Sequence, residues 1–154
     1  MEVQDQMSNF AKTAVEYAQS FSEELDYGKE SLAAVEKILD YYSHDLQCCT
    51  VEEKPTENQV WSMATIWGAY VGEVMRRELG PDFIWTDEET LGNKIPHIRN
   101  TRTEAETFPI DKAYKRLVSG TENNIVTYFE VSMEYLTGKC DWTSAHMLHI
   151  KVDG

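Results

Sequence analysis

The chain has 154 residues, of which 42% are hydrophobic and 11% aromatic, so it can fold around one core. Its 27 acidic side chains outnumber 14 Lys and Arg, and the net charge of −13 argues against binding nucleic acid or an anionic membrane surface. Three cysteines are too few for a disulfide scaffold. The N-terminus lacks a secretory signal and no stretch is apolar enough to span a membrane, so we expect a cytoplasmic protein.

Two amphipathic helices are predicted at the start of the chain. The first has small or apolar residues at alternating spacings of four and three, which is typical of one buried stripe: Met7, Ala11, Ala14, Ala18, Phe21 and Leu25. After a break at residues 26–28, a similar spacing returns at Leu32, Val35, Leu39, Tyr42 and Leu46. The short connection predicts that residues 1–57 form an antiparallel helical hairpin followed by a loop.

The third predicted helix is apolar on nearly all sides, as is typical of a central, buried helix. Thr56 and Gln59 have the spacing of a capping box, which places the helix start near Glu57. Gly80, followed by proline, predicts that the helix ends at Leu79.

Gly68 and Gly72 share one face of this helix with Ala64. A glycine inside a helix lowers helix stability by about 1 kcal/mol relative to alanine. Two glycines at this spacing therefore indicate a packing or binding role. The main interpretation is close packing against another helix, for which the alanine stripe of the first helix is a candidate. The alternative is a groove that receives a ligand.

The second half of the chain predicts a small sheet and two further helices. Short strand-like runs alternate with turn residues over 83–108, which indicates an antiparallel sheet or meander. Pro109 suits the first position of a fourth helix, which ends before Gly120, and Thr121 is expected to cap a fifth helix that ends at Gly138.

We therefore predict one mainly helical α+β domain over residues 1–154, with about five helices. Residues 58–138 hold the central helix, the sheet and the last two helices. Residues 139–154 form a tail that alternates like a strand at its end and is either a last strand or a frayed end.

The acidic side chains are concentrated at the start of the chain. Residues 1–57 hold thirteen acidic and four basic side chains, a surplus of nine. One interpretation is an ordinary solvated surface. The other is a docking face for a basic partner, whose expected contacts are Glu23, Glu24, Glu30 and Glu36.

Glu73 is the one acidic residue inside the apolar part of the third helix, on the same face as Tyr70. A partly buried carboxylate needs a partner, and Arg76 or Arg77 can supply one from the next turn. The main interpretation is a structural ion pair. The alternative is a binding or catalytic pocket formed by Glu73, Tyr70 and Arg77.

Other polar residues give weaker signals. A zinc site could be formed by His146 and His149 with Cys140, Cys48 and Cys49, but CxxC and HExxH are absent, so we predict a polar tail, no metal and no cofactor. A basic patch on the fourth helix either binds an anion or pairs with the acidic first segment: Lys112, Lys115 and Arg116. Most tryptophans are core candidates, whereas Trp142 is a candidate for an interface.

Two stretches resemble a family of uncharacterised bacterial proteins of similar size. They are GAYVGEVMRRELG at residues 68–80, followed by a Trp-containing strand, and FPIDKAYKRL at residues 108–117. The resemblance covers about residues 60–130 and implies a bacterial origin, a shared fold and a link to toxin–immunity systems. No established activity is associated with this family, so the resemblance does not indicate a function.

No GxSxG, GxGxxG or P-loop motif supports an enzyme. The leading hypothesis is therefore a non-enzymatic, bacterial, cytoplasmic inhibitor or immunity-type protein that engages a basic protein partner such as a toxin. The alternative is a small enzyme or ligand-binding domain built on the Glu73 pocket. A third hypothesis is a homodimer formed through exposed helix stripes.

Overall fold

The computed structural model describes residues 2–89 and 94–137, which form five α-helices and one sheet of three strands. The helices are α1 Val3–Gln19, α2 Leu32–Cys48, α3 Glu57–Leu79, α4 Pro109–Ser119 and α5 Ile125–Leu136. The strands are β1 Phe83–Thr86, β2 His97–Asn100 and β3 Glu106–Thr107, in the order β1-β2-β3 with both pairs antiparallel. The predicted mainly helical α+β fold with a small central sheet is confirmed.

Helix α3 lies at the centre, with α1 and α4 as its main neighbours. Every residue from Trp67 to Met75 is buried, as the apolar composition predicts. Both predicted ends are confirmed. The Thr56 Oγ1 accepts a hydrogen bond from the Gln59 N–H at 3.2 Å, the Gln59 Oε1 accepts one from the Thr56 N–H at 2.8 Å, and the chain leaves the helix at Gly80 with φ of +97°.

Helices α1 and α2 are not the main packing partners of each other, although Phe21 of the first predicted stripe packs edge-on against Tyr42 of the second at 5.5 Å. Helix α1 packs mainly on α3, whereas α2 packs on α4 and α5, so the expected hairpin is not the packing found. Alanines at three stripe positions of α1 are fully buried, which brings α1 close to α3. Helix α1 also ends before the predicted stripe does, and the chain then turns through positive φ at Ser22 and Tyr27.

Both central glycines are sites of close packing, as predicted, but their neighbours are not the alanine stripe of α1. A Cβ at Gly68 would lie 2.5 Å from the Ile110 Cα of α4, and a Cβ at Gly72 would overlap the Trp85 ring on β1. The glycines therefore let α4 and β1 approach α3 directly.

The start of α5 differs from the prediction. Residues Thr121–Asn123 form a short 3₁₀ turn, and the helix cap is Asn124, whose Oδ1 accepts from the Thr127 N–H at 3.1 Å. The predicted helix end at Gly138, the tail strand and the residues Cys140, Trp142, His146 and His149 lie outside the described residues. Among the described helices, none combines the length and apolar character needed to cross a membrane.

Candidate functional site

A groove with an apolar floor runs beside α5 and has a volume of about 590 Å³. We call it the α5 groove. Half of the residues that line it belong to α5, and their helical spacing places them on one face of that helix: Val126, Phe129, Glu130, Met133 and Glu134. The other side comes from the start of α2, the turn before it and the end of α3: Lys29, Glu30, Leu32, Ala33 and Glu78.

Burial divides this lining into a floor and a rim. Leu32 and Phe129 are buried, and Val126 and Met133 are half-buried, so the floor is apolar. The charged members are all exposed and form the rim: Lys29, Glu30, Glu78, Glu130 and Glu134. Within the described residues, none of these four glutamates joins an ion pair, so the rim carries a surplus of negative charge.

A second depression of about 440 Å³ adjoins the groove, since Glu30 and Ala33 line both. We call it the acidic cleft. Three of the predicted docking residues, together with one further carboxylate, lie here: Glu23, Glu24, Asp26 and Glu30. Lys37 pairs with Glu23 at 3.4 Å, which neutralises one of them. The groove and the cleft together form a continuous surface, which we call the acidic face.

Glu36, the fourth predicted docking residue, faces inward instead. Its carboxylate accepts from Nε and Nη2 of the fully buried Arg116 at 2.7–3.0 Å and from the Ile125 N–H at 2.9 Å. Arg116 also donates to the Asp40 Oδ1 at 2.6 Å, and this hydrogen bond lowers the pKa of Asp40. Glu36 therefore joins α2 to α4 and α5, and its side chain is only 16% exposed.

The basic patch on α4 pairs within the chain. Arg116 is held by the acidic segment, as one of the two interpretations expected. Lys115 pairs with Asp111 of its own helix at 3.1 Å, and Lys112 donates to the Asn123 side chain at 3.1 Å. Burial lowers the pKa of Lys112.

Glu73 is only 5% exposed, and its Oε2 accepts from the Trp85 Nε1 and the Arg76 Nη1, each at 3.0 Å. Arg76 also donates to the Phe83 carbonyl at 3.1 Å, so the ion pair holds β1 against α3. These contacts are those of the structural ion pair that the sequence predicts, with Arg76 as the partner.

Tyr70 and Arg77 belong to a different set of contacts, centred on Tyr27. The buried Tyr70 hydroxyl accepts from the Tyr27 N–H at 2.8 Å and lies 2.6 Å from the Ser31 hydroxyl. Burial raises the pKa of Tyr70. The Arg77 guanidinium lies over the Tyr27 ring at 3.7 Å. Neither the α5 groove nor the acidic cleft is lined by Glu73, Tyr70 or Arg77.

One partly buried pair, His97 with Glu106, has no counterpart in the sequence prediction. His97 is fully buried, its Nε2 lies 2.5 Å from the Glu106 Oε2, and its Nδ1 lies 2.8 Å from the Ile95 carbonyl. The ring stacks on Phe108 at 4.5 Å. The pair joins β2 to β3, and no sequence spacing could reveal it, since the two residues meet only through strand pairing.

Sequence reasoning also missed Glu78, Glu130 and Glu134, since it placed the docking face on the first 57 residues. The available signal was the alternation of apolar and acidic residues on α5, where Glu130 and Glu134 flank the stripe of Phe129 and Met133. In the described part of the chain, no group of three His, Cys, Asp or Glu is placed to hold a metal ion.

Comparison with known proteins finds no matching protein family, no similar curated protein and no similar solved structure. The resemblance over residues 60–130 therefore stays a prediction.

Proposed function

We propose that this chain is a non-enzymatic binding protein whose acidic face engages a basic protein partner, in the manner of a bacterial inhibitor or immunity-type protein. The observation that carries the proposal is the α5 groove, which combines an apolar floor with four exposed, unpaired glutamates among the described residues. A bacterial origin and a cytoplasmic location, with a toxin as partner, belong to the same proposal.

The physical argument separates two contributions to binding. Surplus negative charge attracts a positively charged partner over distances of about a Debye length, which raises the association rate and selects against acidic partners. The apolar floor supplies the area whose removal from water stabilises the complex once it has formed. If the acidic face served only to keep the protein in solution, the charge would be explained but the adjoining apolar groove would not.

The test is capture of partners from a lysate of the source cell at low and at high salt, with identification by mass spectrometry. We expect one basic protein to bind at low salt and to weaken at high salt. The double variant Glu30→Lys and Glu130→Lys reverses charge on the groove rim, and we expect it to bind that protein at least about tenfold more weakly.

A matched control is available in the loop between α2 and α3. Glu52 and Glu53 are exposed and line neither the groove nor the cleft, so Glu52→Lys with Glu53→Lys makes the same change in net charge elsewhere. The control should retain the partner. If both double variants bind it equally well, the acidic face is not the binding surface and the proposal is wrong. Glu36 is unsuitable for this test because its replacement would disrupt the Arg116 contacts.

A further inference from the structure

The floor of the α5 groove is a short, straight apolar stripe. Val126, Phe129 and Met133 are spaced by three and four, so they lie in line along α5. At 1.5 Å per residue this stripe is about 10 Å long, which matches about two turns of a second helix. Ala33 at the start of α2 forms the facing wall, and the buried Leu32 beside it completes the floor, so the stripe lies between two helices.

The rim glutamates come from three separate elements around this floor. Glu130 and Glu134 belong to α5, Glu30 precedes α2 and Glu78 lies in the last turn of α3. Lys29 is the single basic residue that lines the groove. An occupant that covers the floor therefore meets carboxylates contributed by more than one element, which favours a segment with Lys or Arg flanking its apolar side chains.

The secondary structure that lines the groove also limits the backbone conformation of a segment that can bind there. All of its residues belong to helices or to the turn before α2, so it presents no strand edge with free N–H and C=O groups. An extended peptide would find no hydrogen-bonding ladder there. A helix satisfies its own backbone groups and offers side chains at the spacing of the floor.

From these three features we infer that the α5 groove binds a basic amphipathic helix of the partner. The apolar stripe of that helix packs on Phe129 and Met133, and its Lys or Arg side chains pair with the rim. This inference rests on the proposed function and deepens it by naming the chemistry and conformation of the bound segment.

The probe is a synthetic peptide of about 14 residues, with leucine at alternating spacings of three and four and lysine at the remaining positions. The control peptide has the same composition in an order that places leucine on all faces. By fluorescence anisotropy we expect the amphipathic peptide to bind at least about tenfold more tightly. Its circular dichroism should become more helical on binding. Equal binding of both peptides, or binding without a gain in helix, would overturn the inference.

Variants of the protein then locate the binding. Ala33 is an exposed helical position on the groove wall, so Ala33→Trp fills the groove without entering the core. We expect the peptide to bind Ala33→Trp at least about tenfold more weakly. Gln19→Trp adds the same bulk at an exposed position of α1 outside the groove and should bind like the unchanged protein. Met133→Gln removes apolar character from the floor without adding bulk and should also weaken binding.

The outcomes separate this inference from the proposed function. If Ala33→Trp and Gln19→Trp bind the peptide equally well, the helix-in-groove inference is wrong. The proposed function still stands in that case, provided that the rim reversal abolishes capture of the basic partner and the loop control retains it. If the rim reversal leaves capture unchanged, the proposed function itself fails.

Discussion

At the scale of single residues, Arg116 shows how the acidic segment is divided between interior and surface. Its side chain is fully buried and holds Glu36 by two hydrogen-bonding nitrogens and Asp40 by one. The charge pattern predicts that basic residues of the fourth helix can pair with the acidic segment. It does not predict which carboxylate forms the ion pair. Glu36 therefore differs from Glu30, although both lie in the same charge-rich stretch.

Replacing Arg116 should strongly destabilise the fold. Arg116→Met leaves Glu36 and Asp40 facing each other without a cation, and we expect the free energy of unfolding to fall by about 3 kcal/mol. Urea unfolding followed by circular dichroism measures this change. Arg102→Ala is the control, because Arg102 is 75% exposed and 3.5 Å from Asp82, and it should change the free energy by less than about 1 kcal/mol. Similar losses for both variants would contradict a stabilising role for the buried network.

At the scale of elements, the ends of α3 depend on nearby residues, whereas its packing partners depend on distant ones. Its ends depend on residues within one turn, and the capping box and Gly80 were predicted correctly for that reason. The glycine spacing correctly predicts close approach. It does not identify the approaching elements, because Ile110 and Trp85 lie outside α3 and reach it only through the tertiary fold.

The close contacts of α3 predict that a methyl group added at Gly68 or Gly72 destabilises the fold. Alanine is a better helix former than glycine by about 1 kcal/mol, yet we expect Gly68→Ala and Gly72→Ala each to lower the free energy of unfolding by about 1–3 kcal/mol. The reason is that the new Cβ meets the Ile110 backbone or the Trp85 ring. Thermal unfolding of each variant, compared with that of the unchanged protein, measures this loss.

Gly28→Ala provides the control for the α3 glycines. Gly28 has a negative φ, and the nearest atom to its added Cβ is the Oδ1 of the exposed Asp26 side chain at 3.1 Å. We expect its effect to stay within about 0.5 kcal/mol. If the α3 variants prove stabilising, helix propensity outweighs packing at these positions and the interpretation of the glycines is wrong.

At the scale of the whole molecule, burial of tyrosines couples the fold to alkaline pH. Five tyrosines, from the loop after α1 and from each of α2, α3, α4 and α5, have pKa values raised above the ordinary value, with desolvation as the largest cause: Tyr27, Tyr42, Tyr70, Tyr114 and Tyr128. A raised pKa in the folded state means that the protonated phenol favours folding. This contribution is complete below the unfolded pKa of about 10 and is lost as the pH rises above it.

We therefore expect the free energy of unfolding to fall steeply above about pH 10. Urea unfolding across this range, with tyrosinate absorbance in parallel, measures the loss. Tyr128→Phe removes a phenol whose residue is only 1% exposed, together with its 2.6 Å hydrogen bond to the Thr107 hydroxyl. It should cost about 1 kcal/mol at neutral pH and make the alkaline fall shallower. An unchanged slope would contradict the assignment of this pH dependence to Tyr128.

The helices, the small sheet, the ends of α3 and α4 and the surplus of acid could be predicted from the sequence, because each depends on composition or on residues within a few positions. Three features could not be predicted in this way and follow from the tertiary fold: Glu36 turns inward, Arg76 rather than Arg77 pairs with Glu73, and α1 packs on α3. It also brought Glu30 beside Glu130 to form the α5 groove. These outcomes depend on elements far apart in the chain, since Glu36 and Arg116 are separated by 80 positions and no local pattern links them.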